Sequence, residues 1–128
     1  MMETLLSDIQ VLYVIAENLE KVKEAFNKPE SRLPSMSSRI CYGTYHKGVY
    51  RACATLLNDD NPQALGLDIY MIPGGKYAID KIDDWPKHIS EIGPRFMEMI
   101  KKVQADESRP SIEYYKSGSV LILYLPIK

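Results

Sequence analysis

The feature that most constrains the fold is a repeated order of predicted elements: a strand, a helix and a β-hairpin, then, after about residue 60, a second strand, helix and hairpin. The two halves share no visible sequence identity, so the duplication lies at the level of elements. Such an order is typical of an antiparallel sheet with two helices on one face. We therefore predict an α+β protein built as a duplicated strand–helix–hairpin, with a ligand cleft on the other face or between the halves.

The first half begins with a predicted strand over residues 8–16, which is rich in β-branched side chains. A helix is predicted from Asn18, a suitable N-cap, to about Lys28, with apolar residues at helical spacing. Pro29 ends that helix. A single helix over residues 5–28 also fits the apolar spacing, and it remains the alternative to the strand.

The second half contains a predicted strand whose extended pattern resumes after Pro73-Gly74-Gly75, then one helix and a hairpin. The helix begins near Asp83 or Asp84. The residues of its apolar stripe are Trp85, Ile89, Ile92, Phe96, Met99 or Ile100, and Val103. Because Pro94 lacks a backbone donor, we expect a kink or break at this residue. The stripe is expected to form core, except for Trp85 at the rim of a pocket. The strands are bounded by turn residues and cover Leu67–Ile72, Lys76–Ile82, Ser111–Lys116 and Ser119–Ile127.

Composition narrows the class of protein. The 128 residues suit one domain over 1–128, with 45% hydrophobic and 26% charged residues. A net charge of −1 predicts no nucleic-acid partner. The apolar stretch Ile9–Ala16 is too short to span a bilayer and follows no signal-peptide pattern, so we expect a cytoplasmic protein without a membrane partner. No metal spacing or phosphate loop is present, so no cofactor is expected.

A hairpin is predicted over residues 39–57, with strands Arg39–His46 and Val49–Leu57. With a three-residue loop at 46–48, Tyr42 lies opposite Ala52 and Tyr50 faces Thr44, so tyrosines and alanines share one concave face. Cys41 then falls opposite Cys53, which leaves a disulfide open, although thiols are the usual state in the cytosol. With a two-residue loop the pairing shifts and this argument no longer holds.

Glu113 is the candidate for a charged binding group. In a strand, Glu113 and Tyr115 share one face while Ile112 and Tyr114 share the other. A carboxylate among aromatic rings suits a cation with an apolar body. Because an unpaired buried carboxylate is costly, we expect it to be hydrated, protonated or hydrogen-bonded, with Tyr115 or Tyr77 as the donor.

The chain resembles the GyrI-like family, which includes the effector-binding domains of multidrug-sensing activators and gyrase-inhibitor proteins. The resemblance covers about residues 8–128 and includes Trp85 in the second helix. It rests on three segments, Ile72-Pro73-Gly74-Gly75-Lys76-Tyr77-Ala78, Pro110…Ile112-Glu113-Tyr114-Tyr115 and Tyr124-Leu125-Pro126-Ile127-Lys128. The resemblance implies a tandem SHS2-like fold and an aromatic pocket in which one acidic residue pairs with lipophilic cations. By position the acid is Glu113.

The resemblance also implies that Tyr77 and Tyr42 line the pocket. From the residue pattern we add Tyr115, Trp85 and Tyr50 as ligand-binding candidates. Two departures from the family are visible: no helix-turn-helix precedes the domain, and the loops at 46–48 and 58–64 are short, which changes the mouth of the pocket.

Three functions follow from these features. The leading hypothesis is a stand-alone protein that senses or sequesters small lipophilic, cationic aromatic ligands. The first alternative is a hydrolase of strained electrophilic small molecules with Glu113 as general acid or base. The second is a protein partner that inhibits a DNA enzyme such as gyrase. The identity of the ligand and the oligomeric state are not encoded in a visible pattern.

Overall fold

The computed structural model describes residues 2–16 and 39–128. Within them, eight strands form one antiparallel sheet in the order β1-β6-β8-β7-β3-β4-β2-β5. The strands are β1 (Glu3–Leu6), β2 (Ile9–Ala16), β3 (Cys41–His46), β4 (Val49–Thr55), β5 (Asp68–Ile72), β6 (Gly75–Asp83), β7 (Ser111–Tyr115) and β8 (Val120–Pro126). The predicted α+β class is confirmed, and residues 9–16 form a strand rather than part of a helix. The helix predicted from Asn18 to Lys28 lies outside the described residues.

The sheet has an internal symmetry that follows from the duplication. Strands β2, β4 and β3 of the first half and β6, β8 and β7 of the second half meet at the β3–β7 pair, which we call the seam. Each half also gives its first strand to the other: β1 pairs with β6, and β5 pairs with β2. The strand β1 was not predicted, because four residues are too few to show a period of two.

The sheet curls, so its two faces differ. One cluster of packed side chains joins Leu6 and Tyr77 near one end of the sheet with Val11 and Ile72 near the other. These residues project from the same side, which we call the inner face. The opposite side, which carries Leu123, is the outer face.

Two α-helices lie among the described residues. The single turn α1 (Pro62–Leu65) is capped by Asn61 and ends at Gly66, whose φ of 66° is left-handed. The longer α2 (Ile92–Lys102) packs Met99, which is fully buried, against the outer face of β6 and β8. Within this part of the chain, no helix combines the length and the apolar character needed to cross a bilayer.

The start of α2 differs from the prediction. Strand β6 continues to Asp83, and two 3₁₀ turns over residues 85–91 precede the helix. Pro94 is therefore the third residue of α2, where a backbone N–H has no acceptor within the helix, and no kink is required. Ile89, predicted in the buried stripe, lies before the helix and is 59% exposed, so that part of the prediction was wrong.

The β3–β4 hairpin has a two-residue turn, not three. Lys47 and Gly48 both have positive φ, 51° and 82°, as in the turns that match the twist of a tight hairpin. Tyr42 consequently lies opposite Cys53 and not opposite Ala52. Cys41 pairs with Ala54 and projects from the other face, so no disulfide joins the two cysteines.

Candidate functional site

Glu113 lies on the outer face at the seam, in the middle of the sheet. Its Cα partners are Gly43 on β3 and Leu123 on β8. Its carboxylate oxygen Oε1 accepts hydrogen bonds from the hydroxyl groups of Tyr50, at 2.6 Å, and Tyr115, at 2.7 Å. Two short bonds from neutral donors therefore fix the orientation of this carboxylate.

The electrostatics of this group are unusual for a glutamate. Burial raises the pKa of Glu113, and the hydrogen bonds from Tyr115 and Tyr50 offset only part of that rise. Burial and the charge of Glu113 raise the pKa of both tyrosines, so their hydroxyl groups remain donors. Among residues 2–16 and 39–128, no lysine, arginine or histidine forms an ion pair with Glu113. The carboxylate is therefore desolvated, and no cation among these residues balances its charge.

Gly43 makes room for this arrangement. A methyl group at Gly43 would overlap the hydroxyl oxygen of Tyr50 and would lie 2.6 Å from Oε1 of Glu113. The next residue across the sheet is also small, Ala52. Sequence reasoning missed Gly43, although a glycine inside a strand is a known sign of close approach by another group.

Trp85 completes the aromatic side of the site. Its ring packs edge-on against Tyr115, with 5.1 Å between centroids and 69° between planes. Its Nε1–H donates a hydrogen bond to the carbonyl of Ser117 at 3.1 Å, which fixes the indole on the β7–β8 turn. Four of the predicted residues thus come together: Glu113, Tyr50, Tyr115 and Trp85.

The other two predicted residues lie elsewhere. Tyr42 and Tyr77 project from the inner face, so they do not line a pocket together with Glu113, contrary to what the resemblance implied. The two-residue turn pairs Tyr42 with Cys53 and not with Ala52, so Tyr42 projects from the face opposite Tyr50. In the β3–β7 pair, Gly43 is the partner of Glu113. Tyr42 instead stacks on Tyr114 with 5.4 Å between centroids, and the hydroxyl of Tyr77 donates to the carbonyl of Pro73 at 2.6 Å.

Comparison with known proteins shows the fold alone. No family model matches the chain, and no curated protein matches it. An integron cassette protein from Vibrio cholerae aligns with a TM-score of 0.77 at 16% identity, over 99% of this chain and 95% of its own. The C-terminal domain of EcmrR aligns with a TM-score of 0.70 at 10% identity, over 99% and 96%. A protein solved with bound tetraphenylphosphonium aligns with a TM-score of 0.65 at 12% identity, over 99% and 93%.

The chain has the fold of these proteins. One of them was solved with a lipophilic cation, and another is a domain of a larger protein. Identities of 10–16% show no shared residue roles, so the chemistry must be argued from the residues of this chain. A desolvated carboxylate beside aromatic rings can attract a cation or exchange a proton with a bound molecule.

Proposed function

We propose that this protein binds small lipophilic cations at Glu113, on the outer face of the sheet at the seam. One observation carries the proposal: a desolvated carboxylate is held by two neutral hydroxyl groups without a cationic partner among the described residues. An ionised group in such surroundings costs folding free energy. A bound cation would recover part of that cost.

The surroundings of Glu113 favour a cation with an apolar body over a small hydrated ion. Trp85 and Tyr115 are only partly buried and offer aromatic surface beside Glu113. Aromatic faces attract cations, and the attraction between charges increases where water is excluded. The structural neighbour with bound tetraphenylphosphonium supports this class of ligand. Sensing and sequestration are the two biological uses consistent with such binding.

The first prediction concerns the substitution Glu113→Gln, which keeps the shape of the side chain and removes its charge. Tetraphenylphosphonium should bind at least tenfold more weakly, a loss of about 1.4 kcal/mol. The neutral triphenylphosphine oxide should bind with nearly unchanged affinity. Folding stability should hold or rise, because the substitution removes a buried charge. Isothermal titration calorimetry with both compounds and urea unfolding measure these effects.

Asp59→Asn serves as the matched control, because it removes one negative charge from an exposed loop. It should leave both affinities unchanged. Equal losses for both compounds in Glu113→Gln would show that Glu113 acts on structure alone and would overturn the proposal. Turnover of a strained electrophile that Glu113→Gln abolishes, with binding retained, would replace the binding function with the hydrolase. Inhibition of gyrase without any small molecule would favour the protein-inhibitor alternative.

A further inference from the structure

The inner face carries a second group of aromatic side chains that the proposed function does not use. Six of the nine tyrosines of the chain project from it, several of them half-buried. A stacked row crosses strands β3, β7 and β8, with centroid distances of 5.4 Å and 6.2 Å. These six residues are Tyr13, Tyr42, Tyr70, Tyr77, Tyr114 and Tyr124.

Arg51 on β4 projects into the same face. Its guanidinium lies over the ring of Tyr70, 4.4 Å from the centroid, and beside that of Tyr13, at 5.3 Å. Within the described parts of the chain, no carboxylate forms an ion pair with Arg51. Asp68 lies opposite Tyr13 across the β2–β5 pair but is exposed and does not contact the guanidinium as an ion pair.

Two buried polar groups at this position lack good partners. The Nε atom of Arg51 is buried and makes no hydrogen bond with any described residue. Thr44, the Cα partner of Arg51 on β3, is 1% exposed, and its hydroxyl lies beside the thiol of Cys53, a weak hydrogen-bonding group. Leaving such groups unsatisfied costs folding free energy. Most buried polar groups in proteins are paired, so this pair of exceptions requires an explanation.

We propose that the inner face binds an organic anion: a carboxylate attached to a flat apolar body. A carboxylate matches the planar guanidinium of Arg51 and forms two parallel hydrogen bonds with it. This pair would include Nε–H, which has no acceptor among the described residues. The apolar body of the ligand contacts the half-buried rings of Tyr114 and Tyr124 in the stacked row.

This site differs from the one at Glu113 in place and in sign. Arg51 lies on the inner face and Glu113 on the outer face, so a ligand of one does not contact the other side chain. The protein would then accept cations on one side of the sheet and anions on the opposite side. The inference goes beyond the proposed function and does not depend on it.

The test uses 2-naphthoate and its neutral analogue 2-naphthamide as probes, with isothermal titration calorimetry on the full chain. The wild type should bind one equivalent of 2-naphthoate at least tenfold more tightly than 2-naphthamide. Arg51→Gln should remove that preference and leave the affinity for 2-naphthamide unchanged. Arg95→Gln, a charge-matched control on α2, and Glu113→Gln should both retain the preference for the anion.

A measurement on the wild type alone guards against a folding defect in Arg51→Gln. In ¹⁵N–¹H spectra, the Nε–H signal of Arg51 should shift on addition of 2-naphthoate and not on addition of 2-naphthamide. An unchanged signal, or equal affinity of the wild type for both probes, would overturn the proposal and leave Arg51 with a structural role against Tyr13 and Tyr70. Loss of the anion preference in Glu113→Gln would also overturn it, because it would place the probe on the outer face.

Discussion

At the scale of single residues, Glu113 should couple cation binding to pH. Its pKa in the folded protein lies above the ordinary value of about 4.3. Above the folded pKa the ionised carboxylate attracts a cation and costs folding stability. As the pH falls through the folded pKa, the attraction is lost and that cost is relieved.

The affinity for tetraphenylphosphonium should therefore begin to fall at a higher pH than an ordinary glutamate would allow. Glu113→Gln should show a weak and pH-independent affinity across the same range. Titrations between pH 8 and pH 4.5 on the two proteins measure the difference. An identical pH profile for wild type and variant would assign the dependence to another group.

Residue-scale prediction from sequence succeeded where only local geometry mattered. Glu113 and Tyr115 are two positions apart on one strand, so their shared face and the predicted hydroxyl donor Tyr115 follow from the period of two. Tyr50 donates as well, although its role rested on a register that was wrong. Tyr42 was placed on the wrong face because one residue more or less in a hairpin turn moves a side chain to the opposite side. No periodicity fixes that turn length.

At the scale of elements, Met99 is the fully buried side chain that α2 packs on the sheet, with Ile92 and Phe96 packed beside it. Met99 is fully buried against the outer face, whereas Met97, two residues earlier, is 59% exposed. Met99→Ala should lower the free energy of unfolding by about 2–5 kcal/mol through loss of packing and a residual cavity. Met97→Ala, the matched control, should change it by less than about 0.5 kcal/mol.

Urea unfolding measures both effects, if the dependence of the unfolding free energy on urea concentration is the same in the variants and the wild type. Similar losses in the two variants would show that α2 contributes through helix formation and not through packing. The apolar spacing predicted that Met99 or Ile100 faces the core, and the structure selects Met99. The apolar spacing could not locate the start of α2. Pro94 is compatible both with the first turn of a helix and with a kink inside one, and the sequence does not distinguish the two.

At the scale of the whole molecule, the exchange of β1 and β5 ties the halves together. A cut between Asp60 and Asn61 leaves the Arg39–Asp60 ion pair within one fragment and the Asn61 cap of α1 within the other. Three strand pairs cross the cut: β1 with β6, β2 with β5, and β3 with β7. The order of predicted elements indicated the duplication, whereas the exchange depends on long-range pairing that no local pattern records.

Fragments 1–60 and 61–128 should therefore each fail to unfold cooperatively when alone, because each exposes unpaired strand edges. Mixed, they should form a one-to-one complex with a cooperative thermal transition. Circular dichroism and sedimentation analysis test this expectation. A cooperative transition in either fragment alone would show that the exchanged strands are dispensable.

The position of Glu113 at the seam has a consequence for detecting ligands. Its hydroxyl donor Tyr50 belongs to one fragment, while Glu113 and Tyr115 belong to the other. A molecule that binds this group favours the joined state and shifts the association equilibrium of the fragments by mass action. At a concentration 100 times its dissociation constant, the molecule stabilises the complex of the two fragments by about 2.7 kcal/mol. This is roughly a hundredfold increase in the affinity between the fragments. The divided chain would thus act as a sensor whose reassembly reports the concentration of the molecule it binds.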